Sequence, residues 1–97
     1  MPKENSVYFR KKARSVALQA LYEADVTNHP VDASFKWIKE EAVLPKLSGS
    51  YAQELIRGVV DWKDVLDSCI HKYATAWPVQ QLPVVDRNIL RLALFEI

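Results

Sequence analysis

The 97-residue chain is 49% hydrophobic and 26% charged with a formal net charge of +1, which describes one small globular domain and leaves no room for a second. That balance excludes a general polycation, so any nucleic-acid contact has to be local; the single cysteine excludes an intramolecular disulfide and suits a reducing interior. No apolar run approaches the roughly 20 residues of a bilayer span, and residues 1–9 lack the apolar core of a signal peptide, so a cytoplasmic location without membrane contact is expected.

Ala13, Val16, Ala17, Ala20, Leu21 and Ala24 recur at the spacing of a buried helical stripe, which predicts a first helix from Arg10 to Ala24. Asn28-His29-Pro30 breaks it, and Asp32 is placed to cap a second helix carrying Phe35, Trp37, Ile38 and Ala42 until Pro45 ends it. Ser50 with Gln53 three residues later reads as a capping box opening a third helix, whose buried side would hold Leu55, Ile56, Val59 and Val60. Gly58 lies inside that helix, where glycine is unfavourable and often marks close helix-to-helix approach. Asp61 would cap a fourth helix with Val65, Leu66, Cys69, Ile70 and Tyr73 at core spacing, stopped by Trp77-Pro78. Pro83 suits the first turn of a fifth, apolar around most of its circumference from Val85 to Ile97. No strand alternation, internal repeat or low-complexity linker interrupts this all-α pattern.

Two features ask for something outside the chain. Arg10, Lys11, Lys12 and Arg14 sit at the start of the predicted first helix, where the helix dipole disfavours cations by about 0.3–1 kcal/mol each. A phosphate-rich anion would offset that cost. At about 100° per residue, Arg10, Arg14 and Lys11 share one flank while Lys12 lies on the other, so three of them can meet one strand. The alternative is a solvated basic helix start. Further along the same flank, Leu18 and Tyr22 stand where solvent is expected, as an interface or as packing against the second helix. The fifth helix reaches Ile97 without a polar or glycine C-cap. Further helices of a longer parent, or a second copy in a homodimer, would enclose it; a natural terminus fraying against its own core is the alternative.

Arg10-Lys11-Lys12-Ala13-Arg14 with Ala17-Leu18-Gln19-Ala20-Leu21-Tyr22 resembles the opening helix of the NusB family of bacterial transcription antitermination factors. Gly58-Val59, Leu66-Asp67, Trp77 and the run Leu82-Pro83-Val84-Val85-Asp86-Arg87-Asn88-Ile89-Leu90-Arg91-Leu92-Ala93-Leu94-Phe95-Glu96-Ile97 look like its later segments in the same order. The resemblance implies an all-helical bundle of which this chain supplies about five helices, an N-terminal three-helix subdomain plus the first helices of a second, two being absent beyond Ile97. It implies binding of single-stranded boxA-type RNA together with ribosomal protein S10, and so an indirect link to the elongating RNA polymerase. On that resemblance Arg10, Lys11, Lys12 and Arg14 are candidate RNA contacts, and Leu18, Tyr22 and Asp86 candidate S10 contacts. Asp86 alone would read as an acid favoured by a helix start.

No enzyme chemistry is expected. Cys69 and His71 point about 200° apart on a helix and cannot form a nucleophile–base pair. His29 and His71 lack a companion cluster with metal-ligand spacing. With two glycines there is no phosphate-cradling loop, and no cofactor is implied. Trp37, Trp62 and Trp77 could stack bases, but their apolar neighbours favour packing. Two other readings remain open: an RNA-recruiting domain of an rRNA cytosine methyltransferase, which the same fold resembles, and a helical protein-interaction module that binds no RNA.

Overall fold

Ala13, Val16, Ala17, Ala20 and Leu21 are all buried in the computed structural model, which describes residues 3–42, 44–73 and 78–97. The helix that carries them, α1, spans Lys3–Thr27. It ends at Asn28, whose φ of 60° is the left-handed conformation asparagine tolerates after a helix, with the Asn28 N–H donating to the Ala24 carbonyl at 2.8 Å. α2 (Val31–Ala42) folds back and buries Phe35 and Ile38, and Ser34 on it donates to Glu23 of α1 at 3.1 Å. α3 (Lys46–Asp61) presents Ala52, Leu55, Ile56 and Val59 to the same core. These three helices form one unit around α1. α4 (Lys63–Tyr73) follows after Trp62, a 3₁₀ turn covers Val79–Gln81, and α5 (Val84–Glu96) packs on α1, α3 and α4. The described residues contain no strand.

Four predicted helix starts move. α1 begins seven residues before Arg10, so the cations lie in its second and third turns; the dipole acts mainly on the first turn, and the penalty assigned to them does not apply. Pro45, without a side-chain cap, opens α3, so Ser50 and Gln53 are interior and form no capping box. Asp61 ends α3 and lies 3.9 Å from Arg57, while Asp32 sits inside the first turn of α2 and accepts from Arg57 at 3.1 Å.

Burial also departs from periodicity at the flanks. Val60, Val65 and Tyr73 are exposed, and Cys69 is half-buried. Trp37 and Trp62 are 61% and 56% exposed, against the expectation that they pack; Trp77 lies outside the described residues. Gly58 is read correctly. A Cβ there would run into the Phe95 ring of α5, so the hydrogen side chain is what lets α3 and α5 approach.

Candidate nucleic-acid interface

Between Val7 and Arg14, α1 carries two aromatic side chains, Tyr8 and Phe9, followed by the cations Arg10, Lys11, Lys12 and Arg14. Tyr8 and Phe9 meet edge-on with ring centroids 5.7 Å apart, and the Lys12 ammonium lies 5.9 Å from the Tyr8 ring. One turn of α3 comes alongside: the Arg10 guanidinium is 5.9 Å from the Tyr51 ring centroid. Both spacings fall in the range of cation–π attraction. Arg10 and Lys11 are exposed and Lys12 half-exposed. None of the three has an acidic partner among the described residues.

Arg14 is held differently. Its Nε donates to both carboxylate oxygens of Glu96, at 2.8 and 3.0 Å, and the Tyr51 hydroxyl donates to the same carboxylate at 2.8 Å. The hydrogen bond to Glu96 is the main reason the Arg14 pKa is raised, and likewise the reason the Tyr51 phenol is pushed above its ordinary value. Glu96 thus ties α1, α3 and α5 together beneath the cationic surface. It also neutralises one of the four cations, leaving Arg10, Lys11 and Lys12 without a carboxylate partner among the described residues.

At the opposite end of the α1–α5 pair, Asp25 receives Arg87 in a fork, Nη2 at 2.6 Å and Nε at 2.8 Å, together with Asn88 Nδ2 at 2.9 Å. Arg91, only 6% exposed at its side chain, lies 3.4 Å from Asp25 and donates to Asp67 of α4 at 2.7 and 2.9 Å. Hydrogen bonding from Arg87, reinforced by Asn88 and the nearby charges, lowers the Asp25 pKa to about 2. Two of the three candidate protein contacts, Tyr22 and Asp86, stand near this end, and Leu18 lies one turn from Arg14. Tyr22 is 41% exposed, one turn before Asp25; Asp86 is exposed in the first turn of α5 beside Arg87; Leu18 is half-buried and packs against the core. Tyr22 and Asp86 therefore lie toward the Asp25 end of the helix pair, while Leu18 stands between the two sets.

Tyr8, Phe9 and Tyr51 are members of the cationic surface that the sequence did not single out. Two aromatic residues directly before four cations were a readable signal; Tyr51 joins only through the tertiary packing of α3. A larger groove of about 690 Å3 runs along α3 and α5 past Tyr51, Arg57, Trp62 and Phe95. Its arginine already faces Asp32 and Asp61, which makes it the weaker anion site. The described residues contain no group of His, Cys, Asp or Glu able to hold a metal and no helix long and apolar enough to cross a membrane.

Comparison with known proteins bears on the family and the fold. The NusB family model matches residues 11–97. The transcription antitermination protein NusB of Dehalococcoides mccartyi (strain ATCC BAA-2266 / KCTC 15142 / 195) is 43% identical over 88 residues, covering 91% of this chain and 62% of that protein. That of Roseiflexus castenholzii is 41% identical over 87 residues, covering 90% and 61%. The chain thus spans about three fifths of the length of these relatives. Among solved structures, one described as the crystal structure of a plectonemic RNA supercoil superposes with a TM-score of 0.86 at 34% identity, over 91% of this chain and 64% of that one. A second, described as the antitermination factors NusB and NusE in complex with dsRNA, gives 0.84 at 32% identity, over 92% and 66%.

Proposed function

The chain belongs to the NusB family, and from that premise we propose that it is a non-catalytic transcription antitermination factor whose cationic end of α1 binds single-stranded, boxA-type RNA. The observation that carries the reading is that Arg10, Lys11 and Lys12 follow one another on α1 without a carboxylate partner among the described residues, Arg10 lying against the Tyr51 ring and Lys12 against Tyr8. Cations meet phosphates and aromatic or guanidinium planes take unstacked bases, which is how single strands are held. Arg14 contributes the outer edge of its guanidinium while Glu96 fixes the inner one. The solved relative in complex with NusE and RNA supports a second partner, ribosomal protein S10 (NusE). Tyr22, Leu18 and Asp86 are its proposed contacts, Leu18 adjoining Arg14 and the other two farther along, and the link to RNA polymerase runs through that assembly in the cytoplasm.

Titration of a short boxA-like strand across a salt series tests the reading. Three cations without an acidic partner among the described residues give a log–log slope near −2, at about −0.7 per neutralised phosphate of a single strand. Replacing Arg10, Lys11 and Lys12 together by alanine should remove most of that slope and most of the affinity. An affinity indifferent to salt, or to the triple change, would contradict it. Tyr22→Asp should weaken S10 binding more than RNA binding, because it sets a charge in an apolar contact; equal losses would argue against separate surfaces.

A further inference from the structure

We propose that the cavity between the start of α1 and the first turn of α3 receives one unstacked base of the bound RNA strand, Ser48 reading its edge. The inference rests on the reading of α1 as a single-strand RNA surface and deepens it. The cavity measures about 250 Å3 and is lined by Phe9, Arg10, Leu47, Ser48 and Tyr51. Small-molecule clefts run to about 300–1,000 Å3, so this one suits a single flat ring system whose sugar and phosphate stay outside. Three of its five walls are aromatic or aliphatic, a lining that would desolvate a phosphate at high cost but welcomes the π-face of a base. Arg10, whose guanidinium carbon lies 5.9 Å from the Tyr51 ring centroid, offers a guanidinium plane on which a base can lie.

Ser48 supplies the independent observation. The residue is 2% exposed, and its hydroxyl is the buried side-chain polar atom left without a hydrogen-bond partner among the described residues. Buried hydroxyls are almost always paired, so one that lines a cavity at the edge of a cationic surface is matched to an incoming group. A hydroxyl both donates and accepts, as base edges do. The surrounding turn reinforces the match: α3 starts with neither a side-chain cap nor an acidic residue in its first turn, leaving N–H groups that favour an electron-rich carbonyl or ring nitrogen nearby. The Arg14–Glu96–Tyr51 contacts hold the cavity's α3 wall in place before any ligand arrives.

The test is fluorescence-anisotropy titration of a short boxA-like single strand, at several salt concentrations, against the unaltered chain, Ser48→Ala and Tyr51→Leu. Ser48→Ala should bind about three- to tenfold more weakly, the loss of one hydrogen bond, with an unchanged salt slope because no phosphate contact is removed. The same variant should unfold at equal or higher denaturant concentration, since an unsatisfied buried hydroxyl is gone; a serine with a merely structural role would not weaken RNA binding while sparing stability. Tyr51→Leu should lose about tenfold or more through lost stacking, again without altering the slope. A scan of the strand with single abasic substitutions should find one position at which the unaltered chain and Ser48→Ala bind alike. RNA bound by the unaltered chain but equally well by folded Ser48→Ala, or no such abasic position, overturns the base site while the RNA reading stands. No RNA binding by the unaltered chain overturns both.

Discussion

Asp25 accepts hydrogen bonds from Arg87, Asn88 and Arg91 at once, so its charge is the common partner of two guanidinium groups on α5. Asp25→Asn would leave both facing a neutral amide in a largely enclosed site. The expected cost is about 2–4 kcal/mol in urea unfolding, and a loss below about 0.5 kcal/mol would show that the clamp contributes nothing to the fold. The pH dependence follows from the same contacts. The pKa of Asp25 is about 2 in the folded chain against 3.8 ordinarily. The folded state therefore holds the charged form more tightly, and the stabilisation is complete above the unfolded value and lost as pH falls from about 4 through 2. An acid titration of stability should lose part of its decline in that window in Asp25→Asn; identical acid limbs would assign the decline to other carboxylates. This clamp was invisible in the sequence because Asp25 and Arg87 are 62 positions apart, and each reads alone as a surface charge. Arg14 taught the same lesson from the other direction. The cationic run was legible, but not that Glu96, 82 positions away, would neutralise one of its members.

α3 and α5 meet at Gly58, where the helix forgoes a better helix former so that the Phe95 ring can lie against its backbone. Gly58→Ala would gain close to 1 kcal/mol of helix propensity. It would also force the ring or the helices apart, at about 1–3 kcal/mol for overpacking, so the net expected change is a lower melting temperature. Phe95→Leu in the same background should recover part of the loss, since the aliphatic side chain vacates the space a Cβ needs. A Gly58→Ala variant that melts higher than the unaltered chain would mean that the two helices separate at no cost. The glycine inside a helix signalled a close approach without naming Phe95 as the partner, whereas periodicity predicted the order of the five helices and most of the core, because these depend on spacing within one segment. Helix starts were less legible. Ser50 and Gln53 imitate a cap although Pro45 already begins the helix, and α1 runs N-terminally past the apolar stripe from Ala13 to Ala24 on which its start was judged. Val60, Val65 and Tyr73 fit a core stripe by period and yet face out, since which edge of a stripe is covered depends on neighbours that local spacing does not specify.

The molecule extends 44 × 29 × 20 Å with a radius of gyration of 13.8 Å, somewhat above the about 12.5 Å expected for this length, because the 25 residues of α1 run about 37 Å and set the long axis. α5 is fastened to that axis by carboxylates at both ends, Glu96 to Arg14 and Arg87 to Asp25. One face of α5 is thereby committed to the interior. Its other face carries Val85, Ile89, Leu90, Ala93 and Ile97 exposed side by side with Asp86 as the only charge among them. That is the nearly all-round apolar helix the sequence described, half covered. A continuous apolar strip of this kind is unusual on a monomer and drives association. Taken by itself in solution, the chain should show concentration-dependent sedimentation at low micromolar levels and above. Changing Ile89 to Glu and Leu90 to Lys should abolish the dependence without lowering stability by more than about 0.5 kcal/mol, since neither side chain is buried. A single compact species at every concentration, unaffected by the double change, would mean that the strip is too small or too broken by Asp86 to hold a second surface.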